Sequence, residues 1–298
     1  LSVALVAVGV GLRLVDGGLD LRTGLLVIVL APEAYLPLRQ VGARYHAAAE
    51  GVAAAERAFA ILDAPVPAPG AVTEVPDLRR HGSVRVTGVA VAHPGRIGYA
   101  PALTSFTARH GELVVLVGPN GAGKTSLLSV LLGTRQPDRG VVTISADGRD
   151  VALQGIELDA WRAQLAWVDQ TPYLFDGTIA ANVLLSRPDA DAASVRRALD
   201  ACGLSSMAAD HLVRDAGSSL SAGERRRVAM ARAMLRDAPL VLLDEPTAGL
   251  DAATEQAVLA AVAALAVNSV VIMASHRPAA IAVADRVVEI SAGAEVAS

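Results

Sequence analysis

Lysine is nearly absent from this sequence. Among its 26 lysine and arginine residues, Lys124 is the single lysine, and all the others are arginine. A chain that uses arginine everywhere else indicates that position 124 requires a compact ammonium group, which a planar guanidinium cannot imitate. The residues around Lys124 should therefore show what this ammonium group binds.

Cysteine and runs of basic residues are also scarce. The single cysteine, Cys202, cannot form an internal disulfide, which suits a reducing cytosol, and we expect it to be a buried, inert thiol. The net charge of −4 without a basic run gives no support to nucleic-acid binding. No basic segment precedes the first apolar block, which argues against a secretory signal peptide.

The composition indicates a mixture of membrane and soluble parts. Only 3% of the residues are aromatic and 19% charged, whereas 53% are hydrophobic and the mean hydropathy is +0.44. The apolar excess lies in residues 1–12 and 24–38. Because a membrane-spanning helix needs about 20 mostly apolar residues, the first block is too short alone. We therefore expect a fragment whose membrane region has lost its N-terminal part.

The stretch after the second block, RQVGARYHAAAEGVAAAERAFAIL, is rich in alanine and has a helical pattern, as if a membrane helix continued into water. Three arginines follow the second block, whereas the two arginines before it are accompanied by aspartates. The positive-inside rule therefore places the later stretch in the cytoplasm and the preceding loop outside. The residues concerned are Arg39, Arg44 and Arg57 after the block, and Arg13, Asp16, Asp20 and Arg22 before it.

A proline-rich stretch, DAPVPAPGAVTEVP, predicts a domain boundary. The expected parts are a membrane-domain remnant at residues 1–64, a linker at 65–80 and a second domain at 81–298. In the last part, β-type runs alternate with helical segments, which predicts an α/β domain with a largely parallel sheet. The predicted strands are SVRVTGVAVA, ELVVLVG, VVTIS, LVLLD and SVVIMAS.

Lys124 lies in a phosphate-binding loop motif, G-x-x-x-x-G-K-[ST], between an apolar run and a segment with helical spacing. Glycines let successive backbone N–H groups point at phosphate oxygens, and the following helix adds its positive end. We expect Lys124 to reach the β and γ phosphates of ATP and the Thr125 hydroxyl to hold Mg²⁺. The predicted nucleotide-binding residues of the loop are Gly118, Pro119, Asn120, Gly121, Ala122, Gly123, Lys124, Thr125 and Ser126.

Two carboxylates end the predicted strand LVLLD. Asp244 could hold Mg²⁺ through water, and Glu245 could act as the general base that polarises the attacking water. An acidic strand end in a loop is the alternative, but the phosphate-binding loop elsewhere in the chain favours the catalytic interpretation.

LSAGERRRVAMARAML combines a flexible start with a strongly basic helix. With this motif the chain resembles the ATP-binding cassette (ABC) exporters, which usually carry LSGGQ. The resemblance implies a P-loop ATPase domain with a helical subdomain, in which Ser221 and Gly223 contact the γ-phosphate bound by the opposite subunit. Ala222 and Glu224 depart from the usual motif, and Glu224 adds negative charge near that phosphate.

The resemblance assigns further residues. It implies that Gln170 contacts Mg²⁺ and the water, and that His276 contacts the γ-phosphate. Where the family usually stacks an aromatic residue on adenine, this chain has His93, with Tyr99 as a second candidate. The stretch YLFDGTIAANV, residues 215–217 and the segment AGLD at 248–251 resemble exporter segments that couple the membrane domain and join the two cassettes.

Within the exporters, LAPEAYLPLRQVGARYHAAAEGVAAAERAF resembles the CydD-type subunits. This implies a heterodimer with a related half-transporter in the plasma membrane, with the ATPase domain on the cytoplasmic side, exporting cysteine or glutathione for cytochrome bd assembly. A lipid, drug or haem-related substrate is the alternative, followed by a soluble cassette ATPase. Glu33, inside an apolar block, faces a polar path or partner or lies at the interface near Pro32 and Pro37.

Overall fold

The computed structural model describes residues 2–63, 70–79 and 81–293. Residue 64 and residues 65–69 and 80 of the predicted linker lie outside this part, as does the side chain of Arg39. The chain divides into two compact units, Leu1–Ala68 and Pro69–Ser298.

The first unit consists of two helices, α1 (Ser2–Val15) and α2 (Leu21–Leu62), which pack against each other. Asp20 begins α2, because its carboxylate accepts hydrogen bonds from the amide and hydroxyl of Thr23 at 3.0 and 2.6 Å. The predicted apolar block and its alanine-rich extension form one continuous helix, which runs through Pro32 and Pro37. Among the described residues, no helix combines the length and apolar character that crossing a membrane requires.

The second unit is an α/β domain, as the sequence predicts. Its strands are β1 (Ser83–Ala90), β2 (Thr104–Arg109), β3 (Leu113–Val117), β4 (Arg139–Ala146), β5 (Arg149–Ala152), β6 (Leu165–Val168), β7 (Gly177–Thr178), β8 (Leu212–Val213), β9 (Leu240–Asp244), β10 (Val270–Ala274) and β11 (Arg286–Glu289). Its helices are α3 (Lys124–Leu131), α4 (Leu158–Ala163), α5 (Ile179–Leu184), α6 (Ala192–Ala201), α7 (Ala222–Arg236), α8 (Ala252–Ala266) and α9 (Pro278–Ala282).

The central sheet has five parallel strands in the order β11-β3-β10-β9-β6. Every residue of β9 and β10 is buried, because helices or another sheet cover both faces. Successive side chains of a strand point to opposite faces, so the strands divide between two cores. Val115, Leu243 and Met273 face the core formed with α5 to α8, whereas Leu116, Leu242 and Ile272 face the core that contains α3.

A second sheet is antiparallel, with the order β2-β1-β4-β5. Two of the predicted strands, SVRVTGVAVA and VVTIS, form β1 and β4 of this sheet and are not part of the parallel one. The expected parallel sheet is present, but of the five predicted strands it contains only those that form β3, β9 and β10. An apolar run predicts a strand but not the strand that pairs with it, so strand pairing could not be predicted from the runs alone.

The described part of the predicted linker packs on the second unit. Val72 pairs with Ile156, whose neighbour Gly155 accepts the Val72 amide at 3.0 Å. A Cβ atom at Gly70 would lie 2.3 Å from the Ile156 carbonyl oxygen, so the chain approaches that backbone closely. Leu78 is wholly buried. These contacts extend the second unit beyond residue 81 toward the N-terminus.

Cys202, at the end of α6, is a buried free thiol, as predicted. Its Sγ donates to the Sδ of Met234 at 3.5 Å. Burial raises the pKa of the thiol to about 12. The thiolate form, on which cysteine reactivity depends, is therefore disfavoured at neutral pH.

Candidate nucleotide-binding site

The glycine-rich loop joins β3 to α3 at the carboxyl edge of the parallel sheet. Its glycines at 118, 121 and 123 have positive φ angles of 148°, 76° and 101°. A Cβ atom at Gly118 would lie 2.2 Å from the Ile290 carbonyl oxygen, and one at Gly123 would lie 2.1 Å from the Pro101 nitrogen. Glycine is therefore required at both positions by conformation and by close backbone approach.

Lys124 begins α3 and is 8% exposed. Its Nζ donates to the carbonyl oxygens of Gly118 and Pro119 at 2.7 and 3.2 Å. The carbonyl oxygens of the predicted loop residues Gly118 and Pro119 thus hold the ammonium group, and Ala122 of the same loop is buried. Lys124, at the end of the loop, therefore holds a compact positive charge against the first two residues of the loop.

Thr125 and Asp244 meet across the site. The Thr125 hydroxyl donates to the Oδ2 of Asp244 at 2.7 Å, and Asp244, at the end of β9, is 2% exposed. Burial raises the pKa of Asp244, and the nearby carboxylates of Glu245 and Asp169 raise it further, whereas the bond from Thr125 lowers it. A hydroxyl and a carboxylate converge at one point, which is the type of hard oxygen pair that Mg²⁺ prefers.

Glu245 follows β9 in a left-handed conformation, φ 47°, that residues other than glycine rarely adopt. Its amide donates to the Ala274 carbonyl oxygen at 3.0 Å, which fixes this turn to the neighbouring strand. The Oε1 of Glu245 lies 3.1 Å from the Nδ1 of His276, and the two side chains are 14% and 63% exposed. The structure therefore forms a carboxylate–imidazole pair beside the loop.

One cavity of about 600 Å³ gathers most of the predicted site residues. Its walls include the loop, the ends of β9 and β10, and Gln170 from the loop after β6. The predicted residues that line it are His93, Asn120, Gly121, Gly123, Lys124, Thr125, Ser126, Gln170, Asp244, Glu245 and His276. In residues 2–63, 70–79 and 81–293, no group of three or more His, Cys, Asp or Glu side chains could hold a metal ion by itself.

The predicted adenine contact lies at the rim of this cavity. The Nε2 of His93 is 3.0 Å from both the Ala100 carbonyl oxygen and the Ser126 Oγ. Arg96, which also lines the cavity, donates to the Gly121 carbonyl oxygen at 2.8 Å. Arg96 was not among the predicted site residues, although its position three residues after the predicted adenine contact, His93, indicated that it could lie near the nucleotide. Tyr99 does not line the cavity, and its ring contacts the guanidinium of Arg139.

Ser221 and Gly223 are at the start of α7 and do not line this cavity. Ser221 and Glu224 form a capping box: the Ser221 hydroxyl accepts the Glu224 amide at 3.2 Å, and the Glu224 carboxylate accepts the Ser221 amide at 2.8 Å. The hydroxyl of Ser221 also donates to this carboxylate at 2.7 Å. These hydrogen bonds lower the pKa of Glu224. The charged carboxylate thus stabilises the start of α7, the helix to which it belongs.

In two further predicted segments, an aspartate side chain accepts hydrogen bonds from backbone amides. The amide of Ala216, within residues 215–217, donates to the Oδ1 of Asp176 in the YLFDGT stretch at 3.1 Å. In AGLD, Asp251 accepts the amides of Ala253 and Thr254 and begins α8.

A glycine-rich loop that opens a helix at the edge of a parallel sheet, with an aspartate and a glutamate at the end of another strand, defines a P-loop ATPase domain. Residues 103–248 match the family described as "ABC transporter". The chain therefore carries the ATP-binding domain of an ABC transporter.

Three curated relatives are similar to nearly all or most of this chain. Two are glutathione/L-cysteine transport system ATP-binding/permease proteins: CydC of Bacillus subtilis, 33% identical, and CydD of Escherichia coli, 36% identical, each over 93% of this chain and 48% of its own length. An ATP-dependent lipid A-core flippase of Ralstonia nicotianae is 38% identical over 82% of this chain and 42% of its own length. The chain thus spans about half the length of the CydC and CydD proteins that it matches.

A solved structure of a bacterial Atm1-family ABC exporter with ATP bound is also similar, with a TM-score of 0.67 and 28% sequence identity. The similarity covers 97% of this chain and 51% of that one. The predicted family and the ABC-type ATPase fold are therefore confirmed.

Proposed function

We propose that this chain is the ATP-hydrolysing part of an ABC exporter subunit that works as a heterodimer with a related half-transporter. The observation that carries the proposal is the single cavity in which Lys124, the Thr125–Asp244 pair and the Glu245–His276 pair converge. Each of these groups has a use in phosphoryl transfer to water, which is mainly a matter of positioning and electrostatic stabilisation.

The loop binds the phosphates of ATP. Its N–H groups and the start of α3 supply positive potential, and Lys124 exchanges its carbonyl partners for phosphate oxygens. The donor set of Thr125, Asp244 and Gln170 fits Mg²⁺, which prefers few protein oxygens together with phosphates and waters. When bound, Mg²⁺ supplies neutralisation of the charge on the phosphates. Ser126 and Asn120 line the same cavity, and His93 contacts the adenine ring.

Glu245 accepts a proton from the attacking water as general base. His276 orients the Glu245 carboxylate through the 3.1 Å contact. Because His276 also lines the cavity, its imidazole can donate a hydrogen bond to the γ-phosphate. Ser221 and Gly223 act on the nucleotide of the opposite cassette, because they lie at the start of α7 and do not line this cavity. A complete site therefore needs two cassettes.

The first unit is proposed as the remnant of a membrane domain at residues 1–64, in the plasma membrane with the ATPase domain in the cytoplasm. Its support is the number of large apolar side chains that α1 and α2 expose. These are Leu5, Val8, Leu12, Leu25, Leu26, Val29 and Leu30. Lipid or further helices would cover such a surface in the complete protein.

The proposed substrate is a small thiol, cysteine or glutathione, exported in support of cytochrome bd assembly. The names of the CydC and CydD relatives support it, together with the resemblance of residues 30–59 to CydD-type subunits. A lipid is the second candidate, because the lipid A-core flippase of Ralstonia nicotianae is 38% identical over 82% of the chain.

The test uses the full-length subunit and its partner in sealed inverted vesicles. We expect ATP-dependent accumulation of labelled cysteine or glutathione, lost in vesicles that carry Glu245→Gln. ATP-dependent movement of a labelled lipid without thiol accumulation would replace the thiol by the second candidate. Absence of ATP hydrolysis in vesicles that carry the wild-type subunit and its partner would contradict the proposed ATPase function.

A further inference from the structure

One arginine of α7 connects two separate loops of the candidate site. The Nε of Arg226 donates to the carbonyl oxygen of Gln170 at 3.0 Å, and its Nη1 donates to the carbonyl oxygen of Ala248. The same Nη1 would be 3.7 Å from a Cβ atom at Gly249, so the guanidinium lies close against this turn. Arg226 is part-buried, and both of its partners are backbone groups.

The two loops carry different parts of the proposed chemistry. Gln170 lines the cavity and is a proposed Mg²⁺ ligand. Ala248 opens the AGLD segment, and its amide donates to the carbonyl oxygen of Glu245, the proposed general base, at 3.1 Å. Arg226 itself lies only five residues after Ser221, which begins α7. A single side chain thus joins the metal-binding loop, the general-base loop and the helix that carries Ser221.

We propose that Arg226 is a positioning residue that fixes the Gln170 and Ala248 loops relative to each other and to α7. The proposal rests on the proposed ATPase function. The planar guanidinium holds Nε and Nη1 at fixed positions in one rigid group, so the two carbonyl oxygens are held at a fixed separation. A lysine at this position keeps the charge but has a single point donor on a flexible stem, so it cannot fix that separation.

The chain offers a matched control in the next residue of α7. The Nη1 of Arg227 donates to the carbonyl oxygen of Gly203 at 2.7 Å, away from the cavity. Arg227→Lys and Arg227→Gln therefore make the same chemical changes one residue along the same helix. They test the general stability of α7 without touching the Gln170 or Ala248 loop.

The experiment compares Arg226→Lys, Arg226→Gln and the two Arg227 variants in the full chain with its partner. We expect both Arg226 variants to lower kcat by about 10- to 100-fold, because small misplacements of reacting groups have effects of this size. The KM for ATP should change by less than about threefold, because Lys124 and the phosphate-binding loop are unaffected. The Arg227 variants should retain kcat within about threefold of the wild type.

Hydrogen exchange provides a readout that does not depend on turnover. We expect faster amide exchange at residues 169–171 and 247–250 in the Arg226 variants, and unchanged exchange there in the Arg227 variants. Equal kcat and equal exchange in the two variant sets, or a change in KM alone, would overturn the proposal. If the wild-type protein hydrolyses no ATP, the proposed function fails, and the exchange at these two loops still decides whether Arg226 fixes them.

Discussion

Replacing Lys124 by arginine tests why this chain keeps one lysine. The Nζ of Lys124 fits between the Gly118 and Pro119 carbonyl oxygens, and the side chain is 8% exposed. Arginine is one atom longer and branched at its end, so the enclosed loop must expand to hold it. Overpacking of this kind costs about 1–3 kcal/mol. At about 1.4 kcal/mol per factor of ten, ATP affinity should fall by roughly 5- to 150-fold although the charge is kept.

Titration calorimetry of the full chain with ATP and Mg²⁺ measures this change, and ATPase rates of the assembled transporter provide a second measure. Lys124→Ala shows the effect of losing the charge, and Arg139→Lys, whose partner Tyr99 lies outside the cavity, is the control for an arginine–lysine exchange. Thermal unfolding confirms that each variant is folded. Wild-type ATP affinity and ATPase rate in Lys124→Arg would refute the argument that a compact ammonium group is required.

Three further predictions follow from the site. Glu245→Gln should lower turnover by roughly 10²- to 10⁴-fold while ATP still binds, since it removes the base but keeps the size; a wild-type single-site rate would assign the base to another group. Residues 81–298 alone should bind ATP but hydrolyse it poorly until a partner cassette is added, measured as rate per cassette against concentration; a full rate from a confirmed monomer would contradict the two-cassette site. Because the pKa of Glu224 is lowered in the folded chain, its ionised carboxylate should stabilise the fold at pH values above the ordinary pKa of 4.5, and this contribution should be lost as the pH falls through the folded-state pKa. The stability of Glu224→Gln in acid should therefore depend less on pH than that of the wild type. Parallel curves of stability against pH for the two proteins would contradict the capping contact.

The structure changes the interpretation of Glu224. From the sequence, this residue adds negative charge near the γ-phosphate of the partner's nucleotide. In the folded chain, the carboxylate accepts the Ser221 amide and hydroxyl at 2.8 and 2.7 Å. The sequence S-A-G-E has the capping-box spacing, so this contact could have been predicted from the motif.

Local sequence determined the elements that depend on neighbours along the chain. The prediction of β3, β9 and β10 from their apolar runs is confirmed, because buried parallel strands need continuous apolar residues. The phosphate-binding loop could be predicted because its glycines and Lys124 lie within seven consecutive residues. The helices α3 and α7 likewise follow from local apolar spacing and from the Ser221 cap.

Only the tertiary structure decided which distant segments meet. It placed β1 and β4 in an antiparallel sheet, brought Thr125 within 2.7 Å of Asp244, and joined Gln170 to Ala248 through Arg226. These contacts link residues up to 119 positions apart, and no local pattern specifies them. Strand order and the direction of each side chain depend on how both faces of the central sheet are buried at once, which is a property of the whole fold and not of any one segment.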